Sequence, residues 1–153
     1  MRWFVLLCAM VQPVLADEDI ADQYPASALY SKPVEVIPNV WSAIGATAPP
    51  TYENTGHNNN LSFIVTGDGV IVINGGAAYV LAEARHAEIQ AITDQPVKLV
   101  IDENGQGHAM LGNSYWAEQG VPILAHIDAA HEFEERGNRI LEGMKRYNRD
   151  KAE

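Results

Sequence analysis

The sequence predicts an α/β fold, a layer of at least partly parallel strands with helices packed on a face. Three observations predict it. β-rich runs over residues 61–66, 69–74, 97–101 and 122–126 alternate with helical periodicity over 77–93, 108–119 and 128–148. The first two runs are joined by Gly67-Asp68-Gly69, a hairpin signal because Asp-Gly tolerates positive φ. After that hairpin, strand and helix alternate, the order that builds parallel strands with crossover helices.

The elements follow from their residues in order. Met1-Arg2, an apolar run too short for a bilayer and the small-residue site Val14-Leu15-Ala16 together read as a secretory signal peptide over 1–16. Cleavage is expected after Ala16, which makes the mature protein periplasmic or secreted with no membrane span. Residues 17–50, rich in Pro, Ser and Ala, read as a loosely structured lead-in with one edge strand around 34–44. A polar loop with His57 and three consecutive asparagines precedes the hairpin. The helix over 77–93 is expected to bury Ala77, Val80, Leu81, Ala84, Ala87, Ala91 and Ile92 and to leave Glu83, His86 and Gln90 wet. Pro96 stops it, and the run over 97–101 is apolar enough to expect burial on both faces. Gly120 ends the helix over 108–119, and Asp128 is a good N-cap for the last helix.

Composition narrows the function classes. The 153 residues are 47% hydrophobic and 20% charged, which suits one globular domain and excludes collagen, coiled-coil and low-complexity readings. Ten basic against 20 acidic residues give a net charge of −10, and no basic patch offers itself to a phosphate backbone, so nucleic acid is not an expected partner. The one cysteine, Cys8, lies in the leader, so a cleaved chain has no disulfide and no thiolate metal ligand.

Active sites of α/β folds gather at the carboxyl ends of strands, which directs attention to DENGQGH over 102–108 and LGN over 111–113. With FIVTGDGVIVI over 63–73 and TDQPVKLVI over 93–101, these pieces resemble the first half of the metallo-β-lactamase superfamily. The resemblance covers about half of the chain, residues 60–113. It implies a partial αββα sandwich, a domain over 51–153 that stops before the second half, a hydrolase-like activity and zinc as cofactor. In such proteins a His-x-His-x-Asp-His loop holds the metal. Matching His108 to its last histidine puts Glu103, Gly105 and Gly107 at the other three positions, and Asn74 where a supporting aspartate stands. Glycine has no donor atom, so this loop supplies at most Glu103 and His108.

Each candidate has two readings at this stage. His108 is a metal ligand by the resemblance, or a capping residue at a helix start. Glu103 is a ligand or general base, or half of a solvated acidic pair with Asp102. The Gly105-Gln106-Gly107 segment is only a weak anion-cradle signal. His57, His86, His126 and His131 show no mutual metal spacing, and Tyr115 and Trp116 read as core. The leading expectation is an exported hydrolase-like protein with a diverged metal loop, acting on a small molecule of unread class. The other is a non-catalytic binding or interaction domain on the same frame. With three helices to cover the sheet, one face is expected to stay open and to drive self-association.

Overall fold

Turn chemistry fixes the first strands. The computed structural model describes residues 23–152; the leader lies outside the described residues. Strands β1 (Val34–Ile37) and β2 (Val40–Ala43) turn on Pro38 and Asn39, the latter at φ 67° with its N–H bonded to Glu35 Oε1 at 2.8 Å. Strands β3 (Leu61–Val65) and β4 (Val70–Ile73) form the expected hairpin, where Thr66 Oγ1 donates to Gly69 O at 2.7 Å. β4, β5 (Val97–Asp102) and β6 (Ile123–Ala125) run parallel, joined by helices. The sheet order is β1-β2-β3-β4-β5-β6, an antiparallel meander continued by parallel strands.

The helices are α1 (Tyr79–Ile92), α2 (Gly107–Met110), α3 (Asn113–Glu118) and α4 (Ile127–Asn148), with a 3₁₀ turn at Arg149–Ala152. α1 and α3 pack on one sheet face, where Phe63, Val70, Val72 and Val100 meet Ala82, Ile89, Tyr115 and Trp116. A second cluster joins Leu29, Ala43 and Leu61 to Leu81 and to Met144 of α4. Both faces of β5 were expected to be covered. Only Val97, Val100 and Asp102 are buried, while Leu99 and Ile101, on the face away from α1 and α3, stay partly open.

Three further expectations are corrected. Residues 34–43, assigned to the lead-in, form two strands of the sheet itself. The helix over 108–119 is two short helices, because the Gly112 N–H is diverted to Gly76 O at 2.7 Å and breaks the ladder. α1 buries Leu81, Ala82, Arg85 and Ile89, whereas Ala87 and Ala91 are exposed. Its buried stripe is therefore turned from the one read by counting apolar residues, since the largest fully buried side chain on it is an arginine.

His57 is fully buried and ties the loop before β3 to the rest. Its Nδ1 accepts from Tyr30 N at 3.0 Å, which leaves Nε2 as the protonated nitrogen facing Ala43 O at 3.3 Å. Burial, with the nearby Arg85 charge, pushes its pKa down to about 4. A histidine near its ordinary value in the unfolded chain then binds a proton that the folded chain refuses between about pH 6.5 and pH 4. Stability is complete above that window and falls with pH through it, by about 3 kcal/mol for this residue alone. Burial also lowers His86 and His108, so they act in the same direction. Denaturant melts of wild type and His57→Gln between pH 7 and pH 4 measure the effect: the wild type is expected to lose stability more steeply, and equal slopes would refute the assignment.

Candidate functional site

Three side chains, from α1, α3 and the end of β5, converge on the backbone of one residue, Gly75. β4 ends at Asn74-Gly75-Gly76, where Asn74 takes φ 63° and Gly76 φ 107°. Arg85 reaches up from α1, fully buried, and donates from Nη1 to Ile73 O at 3.0 Å and from Nη2 to Gly75 O at 3.1 Å and to Asn74 O. Trp116 Nε1 also donates to Gly75 O, at 3.0 Å. On the amide side of the same residue, Gly75 N donates to Asp102 Oδ1 at 2.8 Å, and Asn113 Nδ2 donates to Asp102 Oδ2 at 2.7 Å. Burial pulls the Arg85 pKa down to about 9, with Asp102 acting against it, so the guanidinium stays charged at neutral pH. Burial raises Asp102, while the Asn113 and Gly75 hydrogen bonds and Arg85 oppose the rise.

Asp102 and Glu103 turn opposite ways, as alternation along a strand requires. Asp102 is buried on the helix side, whereas Glu103 is exposed and paired reciprocally with Asn74. Asn74 Nδ2 donates to Glu103 Oε1, and Glu103 N donates to Asn74 Oδ1, each at 3.1 Å. Asn104 Oδ1 accepts from Gln106 N at 2.8 Å and shapes the turn into α2. His108, half-buried, has Nε2 3.4 Å from Asn104 Nδ2. It lines a cavity of about 220 Å³ with Pro50, Asn58, Gln106, Ile140 and Tyr147. Burial lowers its pKa and Glu103 opposes this, so the imidazole is neutral at pH 7.

α4 lies directly on this loop. A Cβ placed on Gly105 would sit 2.5 Å from Ala129 O and 3.0 Å from Glu132 Cβ, and one on Gly107 would sit 2.5 Å from Ile140 Cγ2. Two glycines read as lost ligands are therefore contact points for a helix. Zinc needs three or four N, S or O donors, and the loop offers Glu103 and His108 only. The space at positions 105 and 107 is filled by α4, and no group of three His, Cys, Asp or Glu suited to a metal occurs among the described residues. The donors present do not make a zinc site.

The other histidines stand elsewhere. His86 was expected on the wet face of α1; it is half-buried, with Nδ1 2.7 Å from Tyr115 Oη and its ring 5.2 Å from Trp116. His126 caps α4, accepting from Asp128 N at 3.2 Å, and His131 is exposed. Sequence reasoning missed Arg85, Gly75 and Asp102 as the organising group. The signal for Arg85 was its spacing, four residues after Leu81 and four before Ile89, which puts it in the buried stripe.

No protein-family model and no curated protein matches the sequence. Solved structures do match. A metallo-β-lactamase of Pseudomonas aeruginosa in its mono-zinc form superposes with a TM-score of 0.58 at 13% identity, over 69% of this chain and 46% of that one. Metallo-β-lactamases of Pontibacter korlensis (TM-score 0.56, 21% identity) and Hirschia baltica (0.57, 19%) each cover 69% of this chain and 47% of their own. The chain thus spans a little under half the length of the structures it matches. Its mixed sheet and flanking helices are the N-terminal half of the metallo-β-lactamase fold.

Proposed function

We propose that the chain is an exported, non-catalytic binding domain on a hydrolase frame, its strand-end loop serving as a seat for α4 rather than as a metal holder. Export rests on the leader pattern over residues 1–16. Among the described residues no helix is long and apolar enough to cross a membrane, which is compatible with that reading. The observation that carries the binding assignment is the contact of Gly105 with the Ala129 carbonyl, because backbone cannot yield to a ligand side chain there. Recognition would fall in the cleft between α4 and the α2–α3 pair, about 480 Å³, with Leu111, Phe133 and Leu141 as apolar floor and Asn113, Ser114 and Asn138 as polar rim. An apolar cleft with a few convergent polar groups suits a small amphipathic molecule.

A metal-dependent hydrolase is the second reading. It is favoured by His108, whose neutral imidazole is the ligand form, and by Glu103, close enough to act on its titration. Zinc titration separates the two. A nanomolar site at micromolar zinc would add about 4 kcal/mol to stability. The binding reading expects no zinc-dependent rise in melting temperature for wild type or His108→Ala. It also expects the Gly105→His/Gly107→Asp double variant to be less stable by about 1–3 kcal/mol and still not to bind zinc, because the added side chains overpack against α4. A zinc-dependent rise lost in His108→Ala, or tight zinc in the double variant, would favour the hydrolase.

A further inference from the structure

We propose that the Asn104–Gly105 pair is a self-modification site, where the asparagine amide is lost as ammonia and aspartate or isoaspartate is left, while the fold protects Asn74–Gly75 from the same reaction. Asn–Gly occurs twice in the sequence, each time just beyond the end of a strand, β4 or β5. A glycine after asparagine favours the reaction, because no Cβ hinders the approach of its amide nitrogen to the asparagine Cγ and its backbone turns freely. As dipeptides the two pairs are equal. Their surroundings are opposite. At the first, the Gly75 N–H, which must lose its proton to attack, donates to Asp102 Oδ1 at 2.8 Å. Asn74 is only 2% exposed, and Glu103 holds both its Oδ1 and its Nδ2. At the second, no hydrogen bond among the described residues holds the Gly105 N–H. Asn104 is partly exposed between the exposed Glu103 and Gln106, so water reaches it. Its Oδ1 accepts from Gln106 N at 2.8 Å, an Asx turn that folds Cγ back over the following backbone. That N–H also sits on the oxygen where negative charge collects in a tetrahedral intermediate. The leaving nitrogen, Nδ2, faces His108 Nε2 at 3.4 Å.

The step balances with water as the only co-reactant. Hydroxide takes the Gly105 amide proton, and the nitrogen forms a bond to Asn104 Cγ. The Cγ–Nδ2 bond then breaks, and Nδ2 takes a proton from water and leaves as ammonia. One water opens the resulting five-membered imide. Opening at Cγ gives aspartate, whereas opening at the backbone carbonyl gives isoaspartate, whose main chain runs through the side-chain carbon and is longer by one methylene. The mass rises by about 1 Da either way, and a carboxylate replaces a neutral amide. The position makes the change consequential. Gly105 lies against α4, with Ala129 O only 2.5 Å from where a Cβ would stand. A main chain lengthened at residue 104 has no slack there, so isoaspartate formation is a one-way release of α4 from the strand-end loop.

The test incubates the folded full chain in warm, mildly alkaline buffer beside a sample kept unfolded in guanidinium, where both pairs react and set the clock. Trypsin separates the two sites, because Arg85 and Lys98 lie between them, and peptide masses follow each. In the folded chain Asn104 should convert at least tenfold faster than Asn74, and faster as pH rises, because the Gly105 nitrogen must lose its proton. Asn104→Gln, which keeps the amide but needs a larger ring, should stop the mass gain in its peptide. The isoaspartate form, separated by its added negative charge, should melt below the unmodified chain. No gain at Asn104 while the unfolded sample converts, equal gain at the two pairs in the folded chain, or a gain that persists in Asn104→Gln would each overturn the site. An isoaspartate form that melts with the unmodified chain would overturn the release of α4. None of these outcomes depends on whether the loop over 102–108 binds zinc.

Discussion

The structure hangs on the backbone of one residue, Gly75. The carbonyl of Gly75 accepts from Arg85 and Trp116, and the peptide that precedes it accepts from Arg85 through Asn74 O and donates to Asp102 through Gly75 N, so two buried charges of opposite sign are held on either side of the backbone rather than in direct contact. Neither charge would be tolerable there alone. Desolvating an ion in a protein interior costs several kcal/mol even after relaxation, and the cost is offset only when its hydrogen-bonding positions are filled. Arg85 spends its two terminal nitrogens on three successive carbonyls at the end of β4, with its buried Nε left unbonded, and Asp102 uses both oxygens on Gly75 and Asn113. This grip locks α1, α3, β4 and β5 to one point. It also explains the backbone of the turn, since Asn74 must enter the left-handed region, which asparagine tolerates better than most residues.

The character of the strand-end loop follows from that lock. With Asp102 drawn inward, Glu103 turns to solvent and closes a reciprocal pair with Asn74, and the chain enters α2 with His108 facing a small cavity beside Tyr147. Gly105 and Gly107 then lie flat enough for α4 to rest on them. A frame shared with metallo-β-lactamases is consolidated here by a guanidinium, a carboxylate and amide groups held under the sheet end. The helix that covers the loop also builds a wall of the cleft lined by Leu111, Phe133 and Leu141.

Much of the fold was legible because hydrophobic periodicity and turn chemistry are local. Gly67-Asp68-Gly69 fixed the hairpin, Pro96 ended α1, and the β-rich runs fell where strands occur. Where the reading slipped, a tertiary contact overrode the local pattern. Arg85 counts as polar in any moment calculation, yet it sits at the centre of the buried stripe and rotates the face of α1. Gly112 breaks a periodic helix because its amide is needed by Gly76. The β1–β2 hairpin looked like one run because its turn uses Pro38-Asn39 between short strands. Of the site, the loop and its two donors were readable from motif spacing. The role of the glycines was not, because a contact with α4, more than 20 residues onward, leaves no mark in the loop itself.

The central claim is that Arg85 and Asp102 act as one unit through Gly75, and a double-mutant cycle measures it. Arg85→Met, Asp102→Asn and the pair are unfolded in denaturant at pH 7. Each single change should be strongly destabilising, about 3–5 kcal/mol if the partner charge is left buried. The double variant should be no worse than the weaker single variant, giving a coupling energy of at least about 2 kcal/mol. Additive effects, within about 0.5 kcal/mol, would show that the two charges are held independently and would contradict the account.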